Sequence, residues 1–234
     1  MQRVSHPQRL PDRLEDAGTR DLSVLVLYDG WVGDLERLHR SLTAQLSCDW
    51  ELVVIDNPVD DDASERIAVL EHTVHIPLRD KVGYGAGRNL ALRLATGRIV
   101  WIVDTSVEVT GDAWPATDSG LADTGVGLLG RWGVASANGF DFVEAPGPDV
   151  DGVEGYFMAL RRADVGRIGM FDPKFRFYRN ADLDYSYRVR AAGLRTIVDP
   201  SLPLVRHEHR LWENTADRDE LSQANFARFR RHWF

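Results

Sequence analysis

The chain has 234 residues, 44% hydrophobic and 27% charged, an ordinary globular balance that excludes a disordered or fibrous protein. Its 28 Lys and Arg against 36 Asp and Glu give a formal charge of −8, which argues against non-specific binding to nucleic acid. The single cysteine, Cys48, excludes an intrachain disulfide and a cysteine zinc cage and suits a reducing cytoplasm.

Residues 1–20 are polar, carry Pro7 and Pro11, and read as a flexible leader rather than a signal peptide. Residues 22–28 form a continuous Val/Leu-rich run broken by Asp29-Gly30, the pattern of a strand buried on both faces. Leu35, Leu38, Leu42 and Leu46 then recur at helical spacing. A second strand over 52–55 stops at Asp56-Asn57-Pro58, residues 60–70 read as a helix with an acidic start, and 74–76 as a third strand. Gly83, Gly85 and Gly87 introduce a helix over 88–95, with Gly97 at its C′ position, and 99–103 is a fourth apolar strand ending in Asp104. No run approaches 18 apolar residues, so no membrane span is expected. Strands alternating with helices predict an α/β fold, a mostly parallel sheet covered on both faces, with ligands held beyond the strands' carboxyl ends. Tyr28-Asp29, Asp56-Asn57 and Asp104-Thr105-Ser106 all fall at such ends.

The second half is less regular. Residues 111–151 are rich in Gly, Pro and Asp, with a short strand over 126–129. A strand over 157–160, short helices over 163–168 and 182–192, a strand over 196–198 and an amphipathic C-terminal helix carrying Leu221, Phe226, Phe229 and Trp233 complete the chain. Trp114, Trp132 and Phe140 are candidates to stack on a sugar, with core packing the plainer alternative.

From residue 22 to 209 the blocks, in order, resemble a family 2 glycosyltransferase of GT-A fold, a Rossmann-like sheet with helices on both faces. The blocks are Ser23 to Asp29; Leu52 to Asn57; Val82 to Leu92 with Arg88-Asn89; Ile99 to Val109 at the place of the metal-binding DxD strand; Gly155 to Arg162 with Ile168 to Asp172; Ala181-Asp182-Leu183-Asp184; and Val205-Arg206-His207. The resemblance implies one domain over 21–234, with a nucleotide-binding half (21–110), an acceptor half (111–210) and a C-terminal helix (211–234). Two positions depart from the family pattern. Ser106 stands where the DxD motif ends in a carboxylate, and Ala181 replaces the Glu of the Glu-Asp pair.

The implied activity is transfer of a sugar from a nucleoside-diphosphate sugar to an unspecified acceptor hydroxyl, with inversion, by a bacterial cytoplasmic enzyme. Asp182 is the implied base, with capping of the helix that follows as its alternative. The donor falls to Tyr28, Asp56, Gly83, Arg88, Asp104 and Ser106. Tyr28 has core packing as its alternative, Asp56 an Asx-turn, and Arg88 a solvated surface position. Gly155 and Asp184 lie on the acceptor side, although Asp184 is about 200° around the helix from Asp182 and suits a structural role. Asp104 and His207 are the implied ligands for Mg²⁺ or Mn²⁺, with His209 on the same side of an extended segment. Without a metal, Arg88, Arg206 and His207 would neutralise the leaving diphosphate. The departures at Ser106 and Ala181 feed the competing reading, a catalytically silent domain that binds a nucleotide or a partner protein. A homodimer through the C-terminal helix is a further expectation. A nucleotidyltransferase would need a cation directly after the first strand, and Asp29 to Gly33 supplies none.

Overall fold

The computed structural model describes residues 19–58 and 62–234, and in it the four apolar runs of the first half become adjacent parallel strands. These are β1 (Arg20–Tyr28), β2 (Trp50–Asp56), β3 (Thr73–Pro77) and β4 (Gly97–Val103), joined by α1 (Val32–Gln45), α2 (Ala63–Ile67) and α3 (Tyr84–Leu94). The leader expected over 1–20 lies outside the described residues except for Thr19 and Arg20, and Arg20 already opens β1. The acidic start expected for α2 at Asp60 and Asp61 also lies outside them; Asp62 is the cap residue.

Two glycine expectations are corrected. Gly85 and Gly87 lie inside α3, where a Cβ on Gly87 would stand 2.6 Å from the Leu27 side chain. Gly87 lets the helix approach β1 closely, and Gly85 lets it approach the Asp172–Pro173 backbone, instead of leading into the helix. Gly97 is no helix cap: it opens β4, where a Cβ would overlap the backbone of Leu22 and Ser23.

The second half runs β5 (Val107–Val109), α4 (Trp114–Ala122), β6 (Val126–Gly130), β7 (Gly133–Ala135), β8 (Val143–Glu144), β9 (Gly152–Val153) and β10 (Phe157–Arg161). A 3₁₀ turn leads into α5 (Val165–Ile168), followed by α6 (Ala181–Ala191), β11 (Arg195–Val198), β12 (Leu204–Arg206), α7 (Arg210–Asn214) and α8 (Arg218–Trp233). The seven-stranded sheet has the order β11-β6-β10-β4-β1-β2-β3. Only β10 runs against its neighbours. A β5/β12 pair and a small β8-β7-β9 sheet sit beside it.

Side chains of β1 alternate between two cores. Leu22, Val24 and Val26 pack with α1, α2 and α4, whereas Leu25 and Leu27 pack with α3, α6 and α8. Each such fully buried aliphatic side chain contributes about 1.5–3 kcal/mol. Among the described residues no helix is long and apolar enough to cross a membrane.

This topology builds one functional edge. Six strands end together, and the reversed β10 brings its N-terminal end to the same edge, with Phe157 opposite Val103.

Candidate functional site

At the end of β4 the chain turns through Asp104-Thr105-Ser106. Ser106 donates its N–H (2.9 Å) and its hydroxyl (2.5 Å) to Asp104 Oδ1. His209 Nε2 lies 3.2 Å from Asp104 Oδ2. Burial alone would raise the Asp104 carboxyl, but the bonds and charge from His209 and Ser106 outweigh it and hold the group well below the usual range. Burial likewise works against the His209 cation, and Asp104 reverses that and raises it. Three features fix the ring: it stacks on Tyr178 (4.3 Å between centroids, 20°), abuts the edge of Tyr156, and accepts the Trp212 N–H at Nδ1 (3.3 Å).

Asp182 faces this pair from the first turn of α6. Its Oδ2 accepts the Gly155 N–H (2.8 Å) and its Oδ1 the Leu183 N–H (2.9 Å). The first of these bonds crosses from α6 to the loop before β10, so the carboxylate does more than begin a helix. Burial raises its proton affinity above the ordinary Asp value, overcoming both hydrogen bonds and Arg179.

A cleft of about 480 Å³ opens here. Asp104, Glu154, Asp182, Arg179, Arg206 and His209 supply its charges, and Tyr84, Phe142, Tyr156 and Tyr178 its aromatic walls. Glu154 is raised by burial, against its Arg206 partner at 2.7 Å. A smaller recess of about 30 Å³ continues past Asp104 to Asp29, Trp31, Arg88 and Ser106. The segment from Glu208 to Leu211 covers it, and Arg210 reaches Asp34 at 3.1 Å.

The residues expected from sequence are distributed unevenly over this site. Asp104, Gly155 and Asp182 line the main cleft, and Ser106 the recess. Tyr28 is fully buried in the core beneath α1. Asp56 is also buried, accepting the Ser64 hydroxyl and His75 Nε2 (2.8 Å). Gly83 caps α3 against Arg176. Arg88 borders the recess but is no surface residue: only 2% exposed, it donates from Nη1 to the carbonyls of Leu25 (3.0 Å) and Val103 (3.2 Å).

Two placements differ from expectation. Asp184 turns away from the cleft, accepting Arg188 Nε (2.7 Å) and Trp233 Nε1 (2.9 Å), because the helical step carries it to the α8 side. His207 meets Glu108 (2.7 Å), and His209 is the histidine that meets Asp104. The segment leaves β12 before His209, so the two rings do not share a face. Glu154, Tyr178 and Arg179 went unnoticed in the sequence. Their one available signal was adjacency, since they flank the Gly155 and Asp182 blocks.

Among the described residues no three His, Cys, Asp or Glu side chains converge as a metal cage. Asp104 and His209 form the adjacent pair that could ligate a cation, and Ser106 beside them offers a neutral hydroxyl in place of a carboxylate.

Residues 24–185, more than two-thirds of the chain, match the family described as Glycosyl transferase family 2. No curated protein sequence matches. Solved structures share the fold at low identity. GalNAc-T7 with UDP, GalNAc and Mn²⁺ aligns with a TM-score of 0.66 at 15% identity, over 81% of this chain and 44% of that one. The mannosyltransferase PcManGT of Pyrobaculum calidifontis, in complex with GDP-Man and Mn²⁺, gives 0.60 at 21%, over 85% and 59%. S. aureus TarS residues 1–349 in complex with UDP gives 0.62 at 17%, over 77% and 58%. The chain thus spans about half the length of these proteins, and its sheet and helices are those of GT-A glycosyltransferases.

Proposed function

This chain belongs to glycosyl transferase family 2, and on that premise we propose that it moves a sugar from a nucleoside-diphosphate donor to an acceptor hydroxyl. Transfer inverts the anomeric carbon, and Asp182 is the base. One observation carries the reading: Asp182 lies in the cleft, held by the Gly155 N–H, with its proton affinity raised by burial. A base so tuned accepts a proton more readily than an exposed Asp.

In the step, the acceptor oxygen forms its bond to the anomeric carbon as the bond to the diphosphate oxygen breaks. The electron pair leaves with the diphosphate, and the hydroxyl proton passes to an Asp182 oxygen. General-base assistance of this kind is worth about 10²–10⁴ in rate. The leaving diphosphate gathers negative charge, which Arg179 and Arg206 at the cleft wall oppose.

The residues present fit a divalent cation only where the donor completes its shell. Mg²⁺ is commonly held by one or two protein groups plus substrate phosphates. Asp104 and His209 would hold Mg²⁺ or Mn²⁺, and the ion would supply counter-charge to the diphosphate. The recess beside them, at about 30 Å³, is far below the roughly 300 Å³ or more typical of small-molecule sites. The recess alone therefore does not hold the donor, and the adjoining cleft of about 480 Å³ supplies the remaining space.

Calorimetric titration of UDP, GDP, dTDP and CDP, with Mn²⁺ or with EDTA, tests the donor site. The reading expects one nucleotide to bind, at least about tenfold more tightly with Mn²⁺, and His209→Ala to remove that difference. No binding of any nucleotide contradicts it. Binding that ignores EDTA would leave the arginines as the sole counter-charge.

A further inference from the structure

Beside the catalytic cleft lies a second concavity of about 330 Å³, walled by Trp132, Pro146 and Pro200 and edged by Glu144 and Glu154. Glu154 lines both spaces. The partition between them is a single ion cluster: Arg206 pairs with Glu154 (2.7 Å) and Glu144 (3.4 Å), and its guanidinium stands 5.3 Å from the Trp132 ring centre. Tyr156, a wall of the catalytic cleft, meets Trp132 edge-to-face at 5.8 Å.

Of the three aromatic residues singled out in the irregular stretch, only Trp132 sits in such a place. Trp114 is buried in the core, and Phe140 is exposed under Arg230 (3.4 Å) away from both spaces. The composition of the second concavity is specific in kind. An indole and two proline rings offer apolar faces to C–H groups, while carboxylates at the rim accept hydroxyl hydrogens. A pyranose ring presents that combination, an apolar face bordered by hydroxyls. A lipid chain would leave the rim carboxylates without donors, and the phosphates of a nucleotide would be repelled by them.

Resting on the transferase reading, we infer that this concavity is a second acceptor subsite, so that the acceptor is an oligosaccharide of at least two sugar units. The unit receiving the donor sugar lies at Asp182 in the main cleft. Its neighbour passes the Arg206–Glu154 pair and packs against Trp132, with Glu144 accepting from a hydroxyl.

The test uses the whole chain, fluorescently labelled, on a printed array of defined mono-, di- and trisaccharides, followed by calorimetry of the best-bound disaccharide and its own methyl monosaccharide. The expected result is at least about tenfold tighter binding of the disaccharide. Trp132→Ala should erase that gain, and Glu144→Gln, at an exposed position that leaves folding intact, should reduce it severalfold. Nucleotide titration of the same variants reports on folding and on the donor site separately. Equal binding of mono- and disaccharide, no binding to any printed saccharide, or a gain that survives both substitutions would overturn the subsite. Saccharide binding without nucleotide binding would instead remove the transferase reading and leave the subsite standing.

Discussion

A carboxylate accepts a proton during catalysis most readily when its surroundings disfavour its charge, and burial does this at Asp182. Turnover needs the ionised form, so the rate should fall as pH drops through a midpoint above the ordinary Asp value of 3.8. Asp182→Asn should abolish that acid limb together with most of the rate, which a pH–rate profile would read. The same shift acts on stability with the opposite sense. A folded-state pKa above the unfolded one means the ionised carboxylate destabilises the fold at neutral pH, so Asp182→Asn should leave the melting temperature unchanged or higher. Arg88 behaves differently. Its guanidinium closes the gap between β1 and β4 by satisfying two carbonyls. Arg88→Met should therefore cost roughly 2–4 kcal/mol, a fall of about 5–10 °C in melting temperature for a chain of this size. Thermal unfolding would show it; an unchanged melting temperature with lost nucleotide binding would return Arg88 to the diphosphate.

Elements of the first half were legible because each carries its own signal. Fully apolar runs such as Val100 to Val103 mark strands covered on both faces, and Leu35, Leu38 and Leu42 mark a helix. The start of α3 was misjudged because glycine spacing alone does not separate a phosphate-binding loop from a helix pressed against a strand. The reversal of β10 left no local trace, since hydrogen-bond direction is a property of the assembled sheet, and with it the approach of Glu154 and Tyr156 to the cleft was hidden. Asp104 and Asp182 were legible from block order. Their partners His209 and Gly155 became specific only through distances across the fold. α6 and α8 illustrate the same limit: Asp184 lies near Asp182 in sequence, yet it joins the two helices through Trp233 while pairing with Arg188 on its own helix. Asp184→Ala should strand the Trp233 N–H and lower stability by about 1–3 kcal/mol. Denaturant unfolding would read that loss, and KM for donor and acceptor should stay as in the wild type. A KM effect without loss of stability would place Asp184 at the acceptor after all.

At the scale of the molecule, sheet polarity does most of the organising. Six strand ends and one strand start meet at a single edge, so the charged groups from Asp104 to His209 share one cleft although they come from four separate stretches of the chain. One space then presents a buried carboxylate, a cationic wall and an Asp–His pair, the groups on which the proposed transfer draws. The most direct measurement of that claim is release of nucleoside diphosphate from a panel of UDP-, GDP-, dTDP- and CDP-sugars, run on wild type and Asp182→Asn side by side. The wild type should turn over one donor, to an acceptor or slowly to water, and the variant should be slower by about 10²-fold or more while binding the same nucleotide equally well. Release at equal rates from both proteins, or from neither while the nucleotide still binds, would contradict Asp182 as the base and mark the cleft as a nucleotide-binding site without transfer.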